Sequence, residues 1–191
     1  MEHVHVHVRC CFFDVFEPSK KACVECLLFF LENGADPNSK DGCGNTPLRC
    51  VADSLDFGGP NSKKCLEILL ENGADPNSKN NYGSTPLHGA ARSGGSNSKE
   101  CVELLLEYGA DPNSKNKYGS TPLHSAAISG GPNSKECLEI LLKNGADVTS
   151  KNNDGNTPFD KSTNDEIKEI LKEWEEWDEQ LEIKEVECVD F

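Results

Sequence analysis

The chain lacks any apolar run approaching the ~20 residues that a membrane-spanning helix requires; its longest is Cys26 to Leu31. No membrane association is expected. The opening Met1-Glu2-His3-Val4 has neither the basic start nor the apolar stretch of a secretory leader. The expected compartment is the cytoplasm, with the nucleus or a host-cell cytosol left open. Basic residues are scarce, with 19 Lys+Arg against 33 Asp+Glu and a net charge of −14. Contact with a phosphate backbone needs clustered Lys and Arg, so no nucleic-acid partner is expected. Catalytic signatures are missing too. There is no nucleophile elbow and no His-Glu-x-x-His helix. The Gly-Gly pairs at 94–95 and 130–131 lack the Lys-Ser/Thr that would complete a phosphate loop. The chain therefore reads as a non-enzyme with no cofactor, no catalytic residues and no metal.

The acidity is uneven. Residues 160–191 hold 13 Asp+Glu and 4 Lys, whereas residues 1–159 hold 20 Asp+Glu and 15 Lys+Arg. Such an end usually serves solubility.

What is present is repetition. Thr-Pro-Leu/Phe starts at Thr46, Thr85, Thr121 and Thr157, with spacings of 39, 36 and 36, and Gly-Ala-Asp recurs from Gly34 with the same three spacings. Residues 73–108 and 109–144 match without a gap at 28 of 36 positions. A stack of similar units excludes most single-core enzyme folds.

Each unit reads as hairpin, helix, loop, helix. Asn80-Asn81-Tyr82-Gly83 is a turn. Thr85 caps a first helix with Pro86 at its first position, and the helix runs from Leu87 to Arg92. Ser93-Gly94-Gly95 ends it. Asn97 or Ser98 caps a second helix, with Glu100 placed for a capping box. Cys101, Val102, Leu104, Leu105 and Leu106 form the apolar face of that helix, and Gly109 closes it.

The pattern resembles the ankyrin repeat. The residues that carry the resemblance are Gly-x-Thr-Pro-Leu-His at 83–88 and 119–124, Ala-Ala at 90–91 and 126–127, and Leu-Leu-x-x-Gly-Ala-Asp at 105–111 and 141–147. The resemblance implies an all-α, ankyrin-like helical repeat solenoid of about five units with short β-hairpin or turn connections. The expected divisions are an N-terminal cap over 1–17, the array over 18–174, and an acidic helical extension over 175–191. The units exceed the family's period of about 33 residues. The surplus falls between the two helices, in residues 93–99 and their copies, and is expected to be an exposed insertion. His88 and His124 occupy a position that is structural in the family.

Of the ten cysteines, Cys26, Cys65, Cys101 and Cys137 share one position of the second helix and are expected to be small buried side chains. Equivalent positions in adjacent units lie roughly 8–10 Å apart, beyond the ~7 Å Cα limit of a disulfide. The first 26 residues differ, with His3, His5, His7, Cys10, Cys11, Cys23 and Cys26. They leave open an alternative reading as a metal- or thiol-dependent regulator, against a plain N-terminal cap.

The function implied by the resemblance is noncovalent protein binding by a scaffold, inhibitor or adaptor, expected to be a monomer. An effector of an intracellular pathogen or large virus, acting on a host protein, is a variant of that reading. Binding is expected on the concave surface of hairpins and first helices. The candidate residues there are Lys79, Asn81, Tyr82 and Arg92 in one unit and Lys115, Lys117, Tyr118 and Ile128 in the next. Trp174 and Trp177 are the only tryptophans. Trp177 lies beyond the length of the other second helices, and either folds back on the stack or anchors a partner.

Overall fold

The computed structural model describes residues 22–53 and 61–187. Among them it has nine helices and no strand. These are α1 (Ala22–Glu32), α2 (Pro47–Asp53), α3 (Ser62–Glu71), α4 (Pro86–Ser93), α5 (Ser98–Glu107), α6 (Pro122–Ala127), α7 (Ser134–Lys143), α8 (Pro158–Lys161) and α9 (Asp165–Glu187). α1 is the second helix of the first unit, and four helix pairs follow it. First helices stack on first helices and second on second, so the core is one continuous column. Leu48, Leu87 and Leu123 come from the first helices, and Leu69, Leu105, Leu141 and Leu171 from the second; all are fully buried.

The connections expected as hairpins are tight turns. The Asn80 amide donates to Ser84 O at 3.1 Å and that of Gly83 to Asn80 O at 2.9 Å. Gly83 has φ +74°, and a Cβ there would lie 3.0 Å from the Lys117 amide nitrogen of the next unit. That closeness allows one backbone bond per step between turns. Asn81 N donates to Cys43 O at 2.9 Å, Lys117 N to Tyr82 O at 2.9 Å, and Asn153 N to Tyr118 O at 3.0 Å.

A second tie was not anticipated from the sequence. Asn77 Nδ2 donates to Gly109 O at 2.8 Å, while its Oδ1 accepts from the Asp111 amide at 2.8 Å. Asn38 and Asn113 repeat this two-pronged bond to the units that follow them. The side-chain amide thus satisfies a carbonyl and an amide just past the end of a second helix.

Two expectations need correction. The capping box at Asn97 and Glu100 does not form. The backbone of Asn97 is at φ −104°, ψ 3°, and its side chain makes no cap bond. In the next unit the equivalent amide is drawn elsewhere, with Asn133 Nδ2 donating to Gly95 O at 2.9 Å. The inserted loop is also not an exposed insertion. Ser93, Gly94, Gly95 and Ser98 are all buried. Their cover is the copy of the loop in the next unit. Asn133 N donates to Gly94 O at 3.0 Å, and Ser134 Oγ bonds Ser129 Oγ at 2.8 Å and Gly131 O at 2.7 Å. The extra residues of these two units therefore stack on one another beside the helices.

Cys65, Cys101 and Cys137 are buried in the second-helix column as expected, but Cys26 is only half-buried. It lies on α1, which no earlier helix covers among the described residues. Burial, and secondarily the nearby carboxylates of Glu100 and Glu136, push the Cys101 and Cys137 thiols up to about 12.

α9 is 23 residues long, against ten for α3, α5 and α7. Ile167 and Leu171 are buried, and Ile170 and Trp174 pack against the core as half-buried side chains. The helix continues past Trp174 without a break, across the expected boundary at 174–175.

Candidate functional site

Each of these first helices begins at the Pro of a Thr-Pro pair and is only four to eight residues long. Thr85 N donates to His88 Nδ1 at 3.2 Å. That ring nitrogen therefore carries no proton, and Nε2–H donates to Ser120 O at 2.9 Å, in the next unit. Burial first, and then the charges of Arg49 and Lys79, hold His88 down at about 4. His124 repeats the arrangement with Thr121 and Asn156 O, and its pKa is lowered for the same leading reason. Both imidazoles are neutral structural links.

Above them runs a groove of about 340 Å³. Of the candidate residues, Tyr82, Arg92, Tyr118 and Ile128 line it. Tyr82, Tyr118 and Ile128 are 55%, 62% and 50% exposed, so three large side chains stand in solvent along one face. The tyrosines occupy adjacent turn tips, tied by the bond from Lys117 N to Tyr82 O.

Lys79, Asn81, Lys115 and Lys117 lie beside the groove, not in its wall. Lys79 Nζ donates to Lys115 O at 3.1 Å and Lys115 Nζ to Lys151 O at 3.1 Å. Asn81 Nδ2 donates to Gly42 O at 3.2 Å. The recurring lysine thus has a structural cause, a tie to the next turn. Lys117 is exposed at the tip.

Two cations of the groove wall were not picked out as binding candidates, Arg49 and Lys161. Arg49 stands where His88 and His124 stand in their units. Its guanidinium pairs with Asp53 and lies over Gly89, where a Cβ would meet Arg49 Nη1 at 2.0 Å. A signal was available. Gly89 against Ser125 is one of the eight differences between the two near-identical units, and only Gly89 follows a unit with Arg at that position. With Arg92 these residues give the groove wall three basic side chains, of which Arg49 is neutralised by Asp53 behind it, and no Asp or Glu lines the groove. On a chain of net charge −14 that is a local reversal of sign.

Trp177 lies apart from the groove, 54% exposed on α9. Its ring meets that of Trp174 edge to face, with centroids 5.6 Å apart and planes at 74°. Among the described residues no group of three or more His, Cys, Asp or Glu is placed to hold a metal ion. The candidate ligands His3, His5, His7, Cys10 and Cys11 lie outside the described residues, as does the side chain of Cys23. No described helix is long and apolar enough to cross a membrane.

A family model described as ankyrin repeats (3 copies) matches residues 17–116, 57–152 and 96–173. Comparison with curated proteins gave no match. The matched stretches together cover residues 17–173, and the stacked helix pairs accord with them. The chain belongs to the ankyrin repeat family, whose members are generally protein–protein interaction modules.

Proposed function

We propose that this protein is a non-catalytic binding module that takes an acidic or amphipathic segment of a partner protein into the concave groove. The observation that carries this reading is the composition of the groove wall. Exposed Tyr82, Tyr118 and Ile128 are set among Arg92, Lys161 and the Asp53-paired Arg49, with no carboxylate in the groove wall. Tyr and Arg are the side chains in which binding energy concentrates. The tyrosines offer wide contact area at low entropic cost, and the cations steer a segment of opposite charge. Lys79, Lys115 and Lys117 extend the positive field along the turn tips, and the Lys79 and Lys115 ammonium groups keep donors beyond their ties to the next turn. The module acts by occupancy, as a scaffold, inhibitor or adaptor.

The test is affinity capture with intact protein, with the paired Tyr82→Ala and Tyr118→Ala variant, and with a chain ending at residue 176, each followed by mass spectrometry. The groove reading expects a partner that survives the truncation and is lost with the paired substitution, while thermal unfolding of the variant matches that of the intact chain. The paired change should weaken binding 10-fold or more, about 1.4 kcal/mol. A partner held by the paired variant but lost on truncation would move the site to α9.

A further inference from the structure

α9 carries a second surface of opposite charge to the groove. Trp174 packs on the core with one side and is held there. Trp177, three residues on, stands against it and is more than half exposed. With Glu173, which shares a helix face with Trp177 four residues later, the two indoles wall an open hollow of about 310 Å³. Nothing else in the described residues lines it. The surrounding helix is strongly acidic, since residues 165–187 hold 11 Asp+Glu and 3 Lys. Five of those acidic residues, Glu173, Glu175, Glu176, Asp178 and Glu179, lie within four positions of Trp177 in the sequence.

Solubility alone accounts for the carboxylates but not for an exposed tryptophan seated on a fixed one. A second copy of the same helix is a poor occupant, because two acidic surfaces repel. A cation suits both halves of the hollow. Indole faces attract a guanidinium or ammonium group, a Lys or Arg stem lies flat on aromatic carbon, and Glu173 supplies the counter-charge. The helix backbone continues roughly 15 Å past Trp177 at the helical rise, and its sequence there remains rich in Asp and Glu.

We propose that the Trp174–Trp177–Glu173 hollow is a docking site for a basic protein segment, which lays one Lys or Arg side chain against the exposed Trp177 indole beside the Glu173 carboxylate. The site is independent of the groove, and its chemistry excludes the acidic segment that the groove takes. A chain with both surfaces bridges two partners of opposite charge.

The experiment uses the full chain and a 12-residue peptide that repeats Lys-Arg-Ser, labelled with a fluorophore at one end. Its control has citrulline for every Arg and norleucine for every Lys. Anisotropy gives the affinity, and tryptophan emission reports on the hollow, which contains the only two tryptophans. The expected result is saturable binding with altered emission. It should weaken at least 10-fold in Trp177→Ala and at least 3-fold in Glu173→Gln, and be absent for the control peptide. Trp177→Phe should recover most of the affinity. Trp177 is exposed, so the Ala variant should unfold at an unchanged temperature. Equal affinity of intact protein and Trp177→Ala would overturn the proposal, because the acidic helix alone would then be the attractant. Unchanged tryptophan emission at saturating peptide would overturn it as well.

Discussion

Residues 130 and 131 are adjacent glycines in an inserted loop, and Gly→Ala has opposite consequences at the two. A Cβ on Gly130 meets nothing within 4 Å. One on Gly131 would lie 2.4 Å from the carbonyl oxygen of Gly94 and 2.5 Å from its carbonyl carbon. Those are backbone atoms and cannot swing aside. The two loops must part, and the bonds that hold them, Asn133 N to Gly94 O at 3.0 Å and Asn133 Nδ2 to Gly95 O at 2.9 Å, must stretch or break. Overpacking of this kind costs about 1–3 kcal/mol, and each net hydrogen bond lost adds about 1 kcal/mol. Gly131→Ala should therefore cost about 2–4 kcal/mol, or a fall in Tm of roughly 4–16 °C for a chain of this length. Gly130→Ala should stay within about 0.5 kcal/mol of the intact protein. Urea unfolding followed by far-ultraviolet circular dichroism measures both, with unchanged m-values as the check that only stability moved. If the two variants unfold within 0.5 kcal/mol of each other, the inserted loops are not stacked as described.

Acid should destabilise the fold through His88. Its folded pKa of about 4 lies below the usual ~6.5 of an unfolded chain, so between those values the unfolded state binds the extra proton. Stability is complete above pH ~6.5 and declines as the pH falls to about 4, by about 3 kcal/mol. Denaturant midpoints across that range should fall more steeply for the intact chain than for His88→Gln; parallel profiles would contradict the assignment. Thiol labelling at pH 8 should be fast at exposed Cys43 and slow at buried Cys65, Cys101 and Cys137 until denaturant is added. Mass spectrometry of labelled peptides distinguishes them, and rapid native modification of the buried three would refute the packing of the second helices. Gly89→Ser should destabilise by about 1–3 kcal/mol because its side chain overlaps Arg49. Adding Arg49→His, which reproduces the His88–Ser125 pair of the next step, should restore most of the loss; a double variant no more stable than the single one would show that the guanidinium is not the obstacle.

The helical frame was legible because its signals are local. Thr-Pro sets each first helix, the periodic Leu and Cys set each second, and a glycine with positive φ closes it, as at Gly109. The groove was half legible. Tyr82, Arg92, Tyr118 and Ile128 follow from placing one unit beside its copy. Arg49 and Lys161 come from units that depart from the repeat, where the alignment carries least information. The inserted loop was misjudged for a physical reason. Ser, Gly and Asn in a surplus segment read as solvent-facing, yet here the small side chains let backbones touch and the polar atoms pair across the gap. The Asn38, Asn77 and Asn113 ties were invisible because both partners of each lie one unit away, at a separation of more than thirty residues.

The two-pronged asparagine has a consequence for how such a chain can grow. Every unit that offers Asn at this position also presents, at its own Gly-Ala-Asp, the carbonyl and amide that the preceding Asn needs. A block cut at residues 109 and 144 therefore has a plug at one end and the matching socket at the other. Inserted again in tandem, it finds the same asparagine ties at both junctions, and new side-chain pairs arise only where the two units differ, as at Val102 and Leu138. His124 would face a new Ser125, just as His88 faces the existing one. A second copy of 73–108 would not fit as well, because its Gly89 is cut to make room for an arginine that the unit before it would lack. Length in this architecture is thus a quantity that can be changed in whole steps. Each added copy of the 109–144 block would lengthen the groove by one tyrosine and one isoleucine without disturbing the ends.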